Sequence, residues 1–224
     1  MKKYFWILCL ITAHLSAAPE PIPAGVLAKI QQHIATCSWV EIYYDVMPKV
    51  IRENQFQSLV EVGVALGGNA EAMLQNTDLQ NYYGVDPYLY NFDPRDPFNT
   101  EVSLYSPLGG KQSYEYLYSW VKEYRLAPFG NRAQLIRDFS VSAAKSFEDE
   151  SIDCIFIDGD HRYEYVVADL KAWFPKVKKG GMMLGDDYWQ EQVAHAVNDF
   201  FAAEKKNIFF VIANSGYKIW AIKK

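Results

Sequence analysis

The chain is expected to fold as an α/β domain around a mostly parallel sheet, and three stretches of its sequence point there. The first is Ile155-Phe-Ile-Asp-Gly-Asp-His161, an apolar run ending in acids, followed 28 positions after Asp158 by Asp186 in Gly185-Asp-Asp-Tyr188. The second lies between them: Tyr163, Val166, Val167, Leu170, Trp173 and Phe174 recur at helical spacing and give one apolar face. The third is Ser58-Leu-Val-Glu-Val-Gly63, which runs through Val64-Ala-Leu-Gly-Gly68 into a helix start at Asn69. A strand, a crossover helix and a second strand form a right-handed unit whose strands run parallel. Asp158, Asp186 and Asp187 then fall at the same end of neighbouring strands, where α/β sheets assemble their sites.

The elements follow in order. From Ala24 to about Glu53 the pattern is helical, with Val26, Ile30 and Ile34 on one stripe and a second helix through Val46, Val50 and Ile51. The first strand ends at Gly63, and its glycine turn lets backbone approach a ligand while the helix start at Asn69 offers free N–H groups. Asn81-Tyr-Tyr-Gly-Val-Asp86 reads as a second strand whose acid lies 23 residues beyond Gly63, the place from which a carboxylate accepts from both ribose hydroxyls. The stretch 87–131 is long for a connection, rich in Pro, Asp and aromatics and then helical from Tyr114 to Tyr124, so it reads as a lid or substrate wall. Ala133-Gln-Leu-Ile-Arg137 is a third strand, with a turn at Asp138-Phe-Ser140 and a helix through Ala143, Ala144 and Phe147. Pro175 and Gly180-Gly181 are expected to stop the crossover helix and turn the chain into the short buried strand Met182-Met-Leu184. A helix on Val193, Val197, Phe200 and Phe201 leads to strands at Ile208–Ile212 and Tyr217–Ile222, paired as a hairpin around Asn214-Ser-Gly216.

Composition limits the class of function. The chain has 224 residues, 50% of them hydrophobic, enough for one domain with a sizeable core. A formal net charge of -5 argues against nucleic acid held on a basic surface and favours a small-molecule partner. The aromatic share of 16% exceeds what a small core requires and suggests rings lining a pocket. At the N-terminus, Lys2-Lys3, an apolar run from Tyr4 to Leu15 and Ser16-Ala17-Ala18 have the layout of a secretory signal over residues 1–18, too short to be a stable membrane span. That segment predicts an exported protein, periplasmic or secreted, whose mature chain starts near Pro19; the alternative is a cytoplasmic protein with an ordinary N-terminal helix. With the signal removed, Cys37 and Cys154 imply no disulfide framework. The expected organisation is a helical segment over 19–55 and one domain over 56–224.

From about Phe56 to the C-terminus these residues resemble class I S-adenosylmethionine-dependent methyltransferases, and more narrowly the bacterial small-molecule O-methyltransferases allied to macrocin and catechol O-methyltransferases. The resemblance implies a Rossmann-like, seven-stranded, mostly parallel sheet with an antiparallel C-terminal strand and helices on both faces. Glu61, Gly63, Gly67 and Gly68 match the loop that wraps the methionine part of the cofactor, Asp86 the acid that holds the ribose, and Asp138 the residue near the adenine. In metal-dependent members, acids at the positions of Asp158, Asp186 and Asp187 hold magnesium, and the residue at the His161 position is the general base. The resemblance thus makes His161 and Asp158 the catalytic pair, with Asp158 also beside the cofactor.

The chemistry of the residues agrees. A hard divalent cation prefers carboxylate oxygens, can bind two adjacent hydroxyls of a sugar or catechol, and lowers the pKa of the hydroxyl to be methylated. Imidazole titrates in the range a general base needs. Asp160 has no part in that scheme and is expected to cap the following helix. Two other classes stay open: an exported methyltransferase-fold module that binds without catalysis, and an NAD-dependent oxidoreductase. The second is disfavoured because the loop reads Gly-x-x-x-Gly-Gly and not Gly-x-Gly-x-x-Gly. Nothing in the sequence fixes the substrate beyond a small hydroxylated molecule, and a homo-oligomer is compatible with it.

Overall fold

The structure is a computed structural model that describes residues 21–36, 42–89 and 111–224. The expectations for the signal segment, Cys37 and the Pro- and Asp-rich part of the insert lie outside these residues. Helices α1 (Ala24–Thr36) and α2 (Val46–Asn54) precede the sheet. Then come β1 (Ser58–Val62), α3 (Gly68–Asn76), β2 (Asn81–Val85) and α4 (Lys111–Trp120), the last extended by a π-helical turn to Leu126 and a 3-10 turn to Arg132. The chain continues through β3 (Ala133–Ile136), α5 (Ser140–Ala143), β4 (Ile152–Ile157), α6 (Tyr163–Trp173), β5 (Val177–Gly185), α7 (Glu191–Ala203), β6 (Phe209–Ile212) and β7 (Lys218–Lys223).

One seven-stranded sheet has the order β3-β2-β1-β4-β5-β7-β6. Strands β1 to β5 pair in parallel, and β7 is antiparallel to both of its neighbours. The fold expected from the sequence is therefore the fold observed. Alternation along each strand splits the apolar residues between two cores. Leu59, Cys154, Phe156, Leu184 and Ile219 face α1 to α4, while Val60, Val62, Ile155, Met183 and Trp220 face α5 to α7. Both faces are covered, which is why the central strands read as continuous apolar runs and not as alternating ones. Among the described residues no helix is long and apolar enough to cross a membrane.

Two local expectations need correction. Gly180-Gly181 does not turn the chain before a short strand, because β5 already begins at Val177 and carries the pair inside it at a register shift against β4. A Cβ on Gly181 would lie 2.5 Å from the carbonyl oxygen of Asp153, so the glycine serves close strand approach at a bulge. The helix expected through Phe147 is only the four residues of α5 followed by a 3-10 turn at Ala144–Ser146, after which Phe147 is extended. Phe147 instead packs edge-on against Tyr83 and against Trp173.

Strand order reverses between β1 and β4, and the carboxyl ends around that switch carry the candidate site residues. The ladder runs one residue past each strand: Gly63 donates to Val85, Asp86 to Ile136, Asp158 to Val62 and Asp186 to Ile157, at 2.8 to 3.1 Å. These bonds fix the backbone of the acids at a common edge.

Candidate active site at the carboxyl edge of the sheet

The glycine loop is held from below and from one side. Gly63 has φ +87°, and a Cβ there would sit 1.9 Å from the carbonyl oxygen of Asp158, so no other residue lets β1 and β4 meet at this point. Gly67 ends the turn against Arg125, and Gly68 starts α3 under the ring of Tyr44, where a Cβ would come within 2.6 Å. Glu61 lies beneath the loop, 2% exposed, accepting from Asn69 Nδ2 at 2.8 Å and from the Tyr82 hydroxyl. Burial pushes its carboxyl up to about 7, against the pull of those two donors.

Asp86 accepts three backbone amides, from Val64 (3.1 Å), Ala65 (3.0 Å) and Tyr88 (2.9 Å). Tyr88 in turn donates its hydroxyl to the Ala65 carbonyl at 2.9 Å. The carboxylate that sequence reasoning assigned to a ribose is seen here as the brace of the loop. Burial raises its pKa, and the three amides and Arg137 oppose that rise. A cavity of about 420 Å³ opens beside it and runs from Gly63 and Asp86 past Phe139 and Val141 to Asp158 and His161. That volume lies in the range of sites that enclose a small organic ligand. Asp138 is not on its wall: its carboxylate accepts the Phe139 amide at 2.8 Å, shaping the turn that presents Phe139, Ser140 and Val141.

At the far end of the cavity the acids meet. Asp158 Oδ2 accepts the hydroxyl of Tyr43 at 2.6 Å. His161 Nε2 lies 2.7 Å from Asp187 Oδ2, and Gln190 Nε2 lies 3.2 Å from His161 Nδ1. Because an amide nitrogen only donates, Nδ1 is the acceptor and the Nε2 proton goes to Asp187. Asp187 has φ +55°, an uncommon conformation for a residue with a side chain, and the turn it makes lets Asp186 Oδ1 accept the Asp187 amide at 2.6 Å. The hydroxyl of Tyr217, near enough to Asp186 to favour its ionised form, takes the indole N–H of Trp189 at 3.0 Å.

Charge in this cluster is crowded. Burial, then the charges of Asp186 and Asp187, hold Asp158 well above the usual carboxylate range. Burial and Asp187 push Asp186 up to about 6. Burial would raise Asp187 too, but the bond and charge of His161 outweigh it and the group sits below its ordinary value. One donor atom each from Asp158, His161 and Asp187 lie within 4.8 Å of one another, a compact set for a divalent cation. The predicted metal acids are therefore brought together only in part: Asp158 and Asp187 converge with His161, and Asp186 accepts the amide of Asp187. Asp160 does not cap α6 at its second or third residue; it accepts from the amide of Arg162 at 2.9 Å and pairs with its guanidinium, which stacks on Tyr165.

Sequence reasoning missed four residues here. Tyr43 and Tyr217 come from segments far from the acids, and no spacing rule joins positions 115 residues apart. Gln190 follows the second acid motif closely, but an amide carries no chemical signature alone. Asp169, on α6 and 5% exposed, lines the cavity and is pushed up by burial to about 7. Its signal was present as a charge on the apolar face of a helix.

Comparison with known proteins agrees with the fold. Protein R132 of Acanthamoeba polyphaga mimivirus is 30% identical over 151 residues, covering 64% of this chain, and the matched part spans 58% of that protein's length. Among solved structures, the O-methyltransferase TomG of Streptomyces achromogenes, in complex with S-adenosylmethionine, superposes with a TM-score of 0.53 at 12% identity, covering 88% of this chain and 87% of that one. The O-methyltransferase of Bacillus cereus, in complex with S-adenosylhomocysteine, gives 0.54 at 10% identity, covering 88% and 91%. The Podospora anserina methyltransferase PaMTH1, also bound to S-adenosylhomocysteine, gives 0.55 at 15% identity, covering 90% and 88%. The family profile described as a methyltransferase domain matches residues 60–188, from β1 through the second acid motif, and the chain belongs to that methyltransferase family.

Proposed function

We propose that this methyltransferase takes its methyl group from S-adenosylmethionine and transfers it to a hydroxyl of a small molecule, assisted by a divalent cation such as magnesium. The observation that carries the reading is the continuity of the site. One cavity leads from the braced glycine loop and Asp86 to the cluster of Asp158, His161 and Asp187, so a donor in the cavity and a hydroxyl at the cluster would meet. Asp86 keeps one acceptor position beyond its three amides for a ribose hydroxyl. Phe139 and Val141 supply apolar surface for a flat base.

The carboxylates suit a hard cation, and Asp158 and Asp187 would hold it with His161 alongside. When bound, such a cation supplies Lewis acidity that favours the ionised hydroxyl and orients the acceptor. His161 is the candidate base. Asp187 fixes its ring, and Nδ1 becomes free for a substrate proton once the Gln190 amide gives way. Methyl transfer needs in-line approach, so much of the rate belongs to positioning. Export through the N-terminal signal remains part of this reading.

Calorimetry on the full chain tests the cofactor. S-adenosylhomocysteine is expected to bind with a micromolar dissociation constant, about 8 kcal/mol, and NAD to give no heat. Binding of NAD in place of S-adenosylhomocysteine would overturn the reading.

A further inference from the structure

We infer that Tyr43, which lies ahead of the catalytic domain in the sequence, is a positioning residue of the site: its hydroxyl fixes the Asp158 carboxylate in the orientation that meets a divalent cation. This rests on the cation assistance proposed above and adds a residue to it. Three observations support the assignment.

The bond itself is short, 2.6 Å, and joins a phenol to an acid at the end of the central strand β4. The ring that carries the hydroxyl cannot swing away. It is 9% exposed, and its centroid lies 5.9 Å from that of Phe156, 5.9 Å from that of Tyr217 in a stacked pair, and 5.5 Å from that of Tyr44 edge-on. The short segment bearing it is pinned to the β6–β7 turn on the other side of the site. Asp45 Oδ2 accepts the Asn214 amide at 2.9 Å, and Ser215 Oγ donates to the Ile42 carbonyl at 2.5 Å.

The choice of a phenol also has a reason. Asp158 stands beside two further acids, and an unrestrained carboxylate would rotate away from them when no cation is present. A Lys or Arg in its place would hold the carboxylate but neutralise it and repel the ion. A neutral O–H holds one oxygen and leaves the charge and the other oxygen for the cation. Partners of this kind, one bond away from a ligand, commonly contribute tenfold to a hundredfold in metal affinity. A purely space-filling role needs only the ring, which phenylalanine would supply equally well.

The test is Tyr43→Phe in the full chain, with S-adenosylhomocysteine present at saturation and Mn²⁺ as the probe. Mn²⁺ affinity is read by calorimetry and by the loss of the free-ion electron paramagnetic resonance signal. The expected result is a fall in Mn²⁺ affinity of about tenfold or more, a melting temperature within about 3 °C of wild type, and unchanged affinity for S-adenosylhomocysteine. Equal or tighter Mn²⁺ binding by Tyr43→Phe would overturn the role of Tyr43 and leave the cation reading standing. If the wild-type chain takes up no Mn²⁺, the cation reading itself falls and the role of Tyr43 goes with it.

Discussion

Asp86 and Glu61 sit one strand apart and show how a buried carboxylate is made tolerable at this edge of the sheet. Asp86 is surrounded by amides that favour its charge, so it keeps acceptor character for a ligand. Glu61 has only one amide and one phenol, and burial moves its carboxyl from the ordinary 4.5 to about 7. The consequence for stability has a definite sign. Below about pH 4 both folded and unfolded chains carry this group protonated and it has no effect. As pH rises towards 7 the unfolded chain ionises first, so stability is lost across that window. Glu61→Gln removes the dependence. Thermal melts should show the variant gaining on wild type between pH 4.5 and pH 8 by an amount on the order of 1–3 kcal/mol, and a difference independent of pH would refute the assignment. Glu61 was legible in the sequence as the acid of the loop motif. Its position under the loop, bonded to Asn69 and Tyr82, was not, because the side chain on the neighbouring strand that reaches it is a tertiary fact.

At the scale of elements, the site depends on strands that approach unusually closely. The Gly63 contact with Asp158 joins the glycine loop to the acid cluster, so a substitution there should strike both. Gly63→Ala places a methyl group against a backbone carbonyl and asks a residue with a side chain to adopt φ +87°. The expected cost exceeds about 4 kcal/mol, read as a melting temperature about 10 °C or more lower, together with loss of S-adenosylhomocysteine binding. A variant melting within a degree or two of wild type would show that β1 and β4 can part at this point without harm. The crossover helix α6 was readable from its periodicity because a helix buries one stripe and exposes the rest. Gly180-Gly181 misled for the opposite reason. Glycine marks both a turn and a bulge, and only the partner strand, here Asp153 on β4, decides which it is. Phe147 likewise carried apolar periodicity, but its amide only closes the last 3-10 turn on Ala144, and its ring packs on Tyr83 and Trp173 from an extended residue.

For the whole molecule, one sheet with a core on each face brings four strand ends to a common edge and leaves the N-terminal segment to close one side of it. The signal-like residues 1–18 lie ahead of Tyr43 and of both N-terminal helices in the sequence. Sequencing the protein from its native cell should find a mature start at Pro19 or within about two residues of it; an intact Met1 or Lys2 would defeat export. The order of apolar runs, glycine turns and acids determined the sheet, its mostly parallel pairing and the end at which the site forms, because strand periodicity and crossover handedness are local rules that leave few topologies. The same spacing placed Asp86, Asp158, Asp186 and Asp187 at that end. Only the tertiary structure decided which way those carboxylates turn. Asp86 braces the loop, Asp158 meets Tyr43, Asp187 meets His161, and Asp186 takes the amide of Asp187. Side-chain direction at a strand end is set by whichever donors other segments bring within about 3 Å, and Tyr43 reaches Asp158 from a segment 115 positions away.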